Sequence, residues 1–126
     1  MASTQCSIGE IIKAADEIVI LTITCIGQDI TKSQMVEAVN AIDSIAKKPS
    51  PLFLDASQPH SISFDALFEM AKATNIVAVA IYAPSKISQS VAEYIEQFQN
   101  TIVKAPYPFK IFSDSVAAKE WLRAFA

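Results

Sequence analysis

The second half of the chain repeats one arrangement three times: a short apolar run, a polar turn, then apolar residues at helical spacing. Leu-Phe-Leu-Asp at 52–55 leads into Ser-Phe-Asp-Ala-Leu-Phe at 63–68. Ile-Val-Ala-Val-Ala-Ile-Tyr at 76–82 leads into a helical pattern over 88–98, and Tyr-Pro-Phe-Lys-Ile-Phe-Ser at 107–113 into Ala-Ala-Lys-Glu-Trp-Leu at 117–122. Adjacent parallel strands cannot be joined by a tight turn, so this alternation predicts an α/β domain with a parallel sheet and crossover helices. Sheets of that kind collect helix N-termini and loops at the carboxyl ends of their strands, where ligands and partners bind.

The first half supplies the beginning of that sheet. Residues 7–14 carry Ile8, Ile11 and Ile12 and read as a strand; Asp16-Glu17 breaks it, and the β-branched run 18–26 reads as the next. So short a connection makes the two an antiparallel hairpin. Thr31 and Gln34 have capping-box spacing, and Met35, Val39, Ile42 and Ala46 then mark one helical face, stopped by Pro49 and Pro51. A strand at 52–54 follows. Ser63 is placed to cap a helix with Phe64, Leu67, Phe68 and Ala71 on its apolar face, closed by Thr74-Asn75. The unbroken apolar run 76–83 fits a central strand covered on both sides. After Pro84-Ser85, Ile87, Val91, Ile95, Phe98 and Ile102 continue at helical intervals. Pro106 and Pro108 flank Tyr107, which either stands exposed or anchors the loop, before a last strand at 109–112. Ser113 then caps a helix with Ala117, Trp121, Leu122 and Phe125 in one stripe. The expected order is ββαβαβαβα over a single domain, 1–126, with helices mainly on one face because crossovers are right-handed.

At 126 residues the chain can bury a core without disulfides or metal, and 52% hydrophobic with 18% charged residues excludes a disordered polymer. A net charge of −3 gives no broad attraction for nucleic acid or an anionic membrane. Lys47-Lys48, the one adjacent basic pair, reads as a complement to a helix C-terminus. Cys6 and Cys25 lack a Cys-x-x-Cys spacing, and Cys25 reads as a buried thiol in a strand. No basic-then-apolar leader opens the sequence, and the apolar runs are too short to span a bilayer, so a cytoplasmic protein is expected.

Chemical motifs are sparse. With Gly9 and Gly27 as the only glycines, neither in a strand-to-helix turn, a Gly-rich phosphate cradle is excluded, and no cofactor is expected. His60 is the only histidine, so any site needing two imidazoles is excluded too. Ser57, His60 and Asp55 can be written as a triad, a weak-hydrolase reading, but no nucleophile elbow accompanies them. The loops after the parallel strands are the better contact surface: Ser57, Gln58, His60, Ser61 and Ser63 with Asp65 in one, Ser85, Lys86 and Ser88 in the next. Singly, each serine reads as a helix cap. Phe64, Phe68, Phe98, Trp121 and Phe125 read as packing residues.

The ordered set just described resembles the STAS family, the sulfate-transporter and anti-sigma-factor-antagonist domain, and within it an uncharacterised bacterial branch related to stage II sporulation protein AA. The likeness rests on 52–55, on Ser61-Ile62-Ser63 entering a helix, on 77–82 with Ala83-Pro84-Ser85, and most on 107–112 followed by 118–122. The resemblance implies a non-enzymatic regulatory domain that binds a protein partner, such as an anti-sigma factor or a kinase-like regulator, without cofactor or metal. Family antagonists carry an Asp-Ser-Ser-Gly turn with a phosphorylated serine. Here the turn reads Ser63-Phe64-Asp65-Ala66, which puts an acidic Asp65 at the phosphoacceptor position and Ala66 in place of glycine. A small-molecule or lipid sensor is the alternative, since some STAS-type domains take nucleotides or apolar ligands. An exposed edge at the first strand would further allow a homodimer.

Overall fold

The computed structural model describes residues 2–58 and 60–126. A six-stranded sheet forms the centre, in the order β1-β2-β3-β5-β7-β8, from β1 (Ala2–Cys6), β2 (Gly9–Lys13), β3 (Val19–Ile23), β5 (Ser50–Asp55), β7 (Ile76–Tyr82) and β8 (Phe109–Phe112). The first three strands are an antiparallel meander; β3, β5, β7 and β8 run parallel. Two short strands, β4 (Asp29–Ile30) and β6 (Ser61–Ile62), pair separately beside it.

The helices α1 (Lys32–Ala46), α2 (Phe64–Met70) and α3 (Lys86–Gln97) each link one parallel strand to the next. Right-handed crossovers therefore place all three on the same face, over a core that includes Ile11, Leu21, Met35, Ile42, Leu54 and Ile81. The last helix, α4 (Ser115–Arg123), follows the last strand and is bound by no crossover. It covers the other face, where Ala118 and Leu122 meet Phe53, Ala78 and Ala80. The alanines at 78 and 80 explain the uninterrupted apolar run of β7: one side of that strand carries Val79 and Ile81, and the other admits a helix close to the backbone.

The α/β class, the STAS-like order and the antiparallel opening agree with the sequence. The capping box of α1 forms as its spacing predicts: the Gln34 N–H donates to the Thr31 hydroxyl at 3.4 Å, and the Thr31 N–H donates to the Gln34 side chain at 3.0 Å. Pro51 lies inside β5, where the register with β7 shifts, the kind of irregularity that tolerates a missing N–H.

Besides the separate β4–β6 pair, which the expected order lacks, four details differ. The opening has one more strand than the pattern predicts, because Ala-Ser-Thr-Gln-Cys pairs through its backbone and shows no apolar alternation. Asp114, not Ser113, caps α4; its carboxylate accepts the Ala117 N–H at 3.1 Å. In α2 the buried residues are Ala66, Leu67 and Met70, while Phe64 and Phe68 are exposed. Finally α3 does not continue to Ile102 as an α-helix but widens into a π-helical segment, Phe98–Val103. A π-turn takes an extra residue, so the inward position passes to Gln99, fully buried, and Ile102 turns outward.

Tyr107 takes the anchoring role. It is buried, and its hydroxyl donates to the Met70 carbonyl at 2.7 Å, tying the loop before β8 to the end of α2. Burial, with the Asp43 carboxylate as a smaller contributor, pushes its phenol well above the usual range.

Candidate functional site

Strands β5 and β7 are neighbours, so the loops that leave their carboxyl ends emerge side by side. The first loop is built from local hydrogen bonds. Asp55 ends β5 and accepts both the Ser57 N–H at 3.1 Å and the Ser57 hydroxyl at 2.6 Å, an Asx-type turn. His60 turns inward and is buried; its Nδ1 lies 2.8 Å from the Gln58 carbonyl and so carries the proton. Its Nε2 is buried and has no hydrogen-bond partner among the described residues. The paper triad is thus not assembled: Ser57 donates to Asp55, and neither ring nitrogen of His60 bonds to Ser57.

His60 borders an apolar cavity under the sheet, lined also by Met35, Leu54, Ile62 and Tyr107. At about 20 Å³ it has room for no more than about one water molecule, and its walls are almost wholly apolar.

Beyond His60 the chain enters β6, where the Ser61 hydroxyl donates to Asp29 at 2.9 Å. Ser63 follows as the N-cap of α2: its hydroxyl accepts the Ala66 N–H at 3.4 Å and donates to the Asp65 carboxylate at 2.5 Å. Asp65 therefore stands in the first turn of α2, where a negative charge complements the helix dipole, with the Ser63 hydroxyl committed to it. Ser63 and Asp65 form one wall of an open groove of about 600 Å³ whose other wall is the start of α1, with Thr31, Lys32, Ser33 and Val36.

The second loop holds Ser85 and Lys86, both exposed at the start of α3. Ser85 is the cap, in a reciprocal box with Ser88: the Ser88 N–H donates to the Ser85 hydroxyl at 3.1 Å and the Ser85 N–H to the Ser88 hydroxyl at 3.0 Å. Neither Ser85 nor Lys86 lines the groove, so the structure joins Ser63 and Asp65 to α1 rather than to the neighbouring loop. Lys32 and Ser33 are additions that the sequence pattern does not single out, because nothing local tells that α1 and α2 begin side by side.

The other side of α2 carries the feature most at odds with the sequence expectation. Phe64 is 63% exposed, Phe68 46% and Ile102 63%. Phe64 rests against Tyr94 and Phe98, with ring centroids 5.9 and 5.4 Å away, and Phe68 meets Phe98 edge-on at 5.5 Å. Phe64, Tyr94, Phe98, Thr101 and Ile102 line a second, smaller groove of about 200 Å³. Partial burial, then the nearby Asp29 charge, raises the Tyr94 phenol, which therefore stays neutral. Phe64 thus sits between two grooves, a polar one bearing Ser63 and Asp65 and an aromatic one opened by the π-turn.

Among the described residues no cluster of three or more His, Cys, Asp or Glu side chains could hold a metal ion, and no helix is long and apolar enough to cross a membrane.

No curated protein matches the sequence. A crystal structure of an uncharacterised protein of the DUF3478 family with a SpoIIAA-like fold, from Shewanella loihica PV-4, superposes with a TM-score of 0.55 over 97% of this chain and 98% of that one, at 17% identity. That likeness is one of fold, and it agrees with the STAS-like order of elements. The family model described as a domain of unknown function, DUF7793, matches residues 12–126, from β2 through α4. With that match spanning the four parallel strands, the end of β2 and every helix, the chain belongs to the DUF7793 family and carries a STAS-like fold.

Proposed function

We propose that this protein is a non-enzymatic STAS-like regulatory domain that binds a protein partner through the N-terminal end of α2. Phe64 carries the reading. A large aromatic side chain held by two other rings, yet 63% exposed, is costly to leave in water and well suited to fill a pocket on another protein. The polar groove with Ser63, Asp65 and Lys32 on one side supplies a rim of hydrogen-bonding and charged groups around it. The resemblance to antagonists of anti-sigma factors gives the partner class, an anti-sigma factor or kinase-like regulator. In this chain Asp65 is a fixed negative charge where those relatives carry a phosphorylatable serine, so binding is not switched at that position. The 83–88 loop, with Ser85 and Lys86, extends the contact surface. The alternative small-molecule or lipid reading draws no support from the cavity beside His60, which is the size of one water.

Immobilised wild-type protein should retain a specific protein from lysate of the source cells, identified by mass spectrometry and confirmed with the purified partner. Phe64→Ser should abolish that binding while the protein stays folded, at a cost of about 1–2 kcal/mol for the lost contacts with Tyr94 and Phe98. Ser63→Ala should cost about 1 kcal/mol of stability through the lost cap. A partner that binds Phe64→Ser as tightly as wild type, or the absence of any partner, defeats the proposal.

A further inference from the structure

We infer that two copies of this chain associate through their β1 edges, antiparallel about a two-fold axis at Thr4. The inference concerns the opposite end of the sheet from β8 and stands independently of the partner reading above.

The two edges of the sheet are not alike. At β8 side chains cap one outward N–H and one outward carbonyl: the Ile111 N–H donates to the Glu96 carboxylate at 3.1 Å, and the Phe109 carbonyl accepts from the Asn100 side chain at 3.3 Å. Such covering prevents another strand from adding there. At β1 the directions follow from the pairing. The Ile8 carbonyl accepts the Thr24 N–H at 2.9 Å, so Ile8 faces β3. Alternation then turns Gly9, Ile11 and Lys13 toward β1, and their register partners Cys6, Thr4 and Ala2 toward β2. Ser3, Gln5 and Ser7 are left pointing outward. The Ser7 N–H is covered by Glu37 at 2.6 Å; among the described residues Ser3 and Gln5 have no backbone partner on that side.

Two outward residues separated by one form a self-complementary unit. A two-fold axis through Thr4 sets Ser3 against Gln5 of the second copy and Gln5 against Ser3, and each pair exchanges both of its N–H···O=C bonds. Thr4 then faces Thr4 of the second copy, a favourable cross-strand pair. The strand Ala-Ser-Thr-Gln-Cys has no charge to repel its own image, and no proline or bulge to bar it.

Proline at Gln5 removes the outward N–H and the side-chain bond to Glu10 but no rung of the ladder to β2, which uses the neighbouring residues. Sedimentation of the full chain should show a reversible dimer, and Gln5→Pro should raise its dissociation constant about tenfold or more. Independently, Thr4→Cys in a Cys6→Ser background should form an intermolecular disulfide under mild oxidation, since Cα atoms of such a facing pair lie about 4.5 Å apart, within disulfide reach. Gln28→Cys, exposed elsewhere, serves as the control for random collision. The inference fails if the wild type is monomeric at roughly millimolar protein, or if Thr4→Cys cross-links no faster than Gln28→Cys. A dimer that Gln5→Pro leaves equally tight also defeats it; should that variant not fold, the cysteine pair decides.

Discussion

A β-carbon on Gly9 would lie 1.9 Å from the Thr22 carbonyl oxygen and 2.8 Å from its carbon. Both atoms belong to β3, which is held on its other side by β5, so the strand cannot yield without loss of the ladder. Gly9→Ala is therefore expected to cost about 3 kcal/mol or more, far beyond an ordinary glycine-to-alanine change. A urea midpoint within error of wild type would show that β2 and β3 can separate there. The sequence offers Gly9 as one of two glycines and excludes a phosphate cradle, yet its reason for being glycine is a backbone contact with a residue 13 positions on. His60 is a similar case. Its solitary status is legible from the chain, but its inward turn depends on the Gln58 carbonyl and on β6, which only the folded molecule brings together.

Glu37 shows how an element is locked to its neighbour. This exposed residue of α1 accepts the Ser7 N–H at the turn between β1 and β2, and that bond, with a smaller contribution from the Ser7 side chain, lowers its carboxyl below the ordinary 4.5. A depressed acid favours the folded state in its ionised form. The contribution is thus complete above the unfolded value and disappears as pH falls through the folded one. Wild type should have a higher urea midpoint than Glu37→Gln at neutral pH, and the two should converge in acid once the Glu37 carboxyl is protonated in the folded state. A gap that is constant with pH would mean that the charge contributes nothing. At this scale most elements can be read from the sequence where a local rule acts. Thr31 and Gln34 begin α1, Ser63 begins α2, and Ser85 begins α3 because each side chain bonds its own backbone three residues on. The rules fail where the determinant is elsewhere. β1 has polar residues and exists through β2, and the apolar spacing from Ile87 to Ile102 assumes a constant pitch that the π-segment does not keep.

Taken whole, the molecule has two cores of unequal extent on either face of one sheet. The larger is sealed by three helices whose positions the strand connections dictate; the smaller depends on α4 alone. Leu122→Ala, at a fully buried position of that smaller core, should cost about 3 kcal/mol. Hydrogen exchange should report the loss first in α4, with β5 and β7 protected until global unfolding. Equal loss of protection throughout would indicate a single cooperative unit. The class of fold and the end of the sheet that bears the loops are legible from the alternation of strands and helices. The pairing of Ser63 and Asp65 with Lys32 and Ser33 is not, because it arises from the packing of α2 on α1.

The π-turn at Phe98–Val103 carries a consequence for how members of such a family can diverge. Its ring closes over one residue more than an α-turn, so substitutions that restored α pitch without removing a residue would turn Ile102 inward, onto the stripe of Ile95 and Phe98. The aromatic hollow beside Phe64 would lose its rim while every strand kept its place. A change of helical pitch alone would then alter the stickiness of this surface, leaving the scaffold beneath untouched.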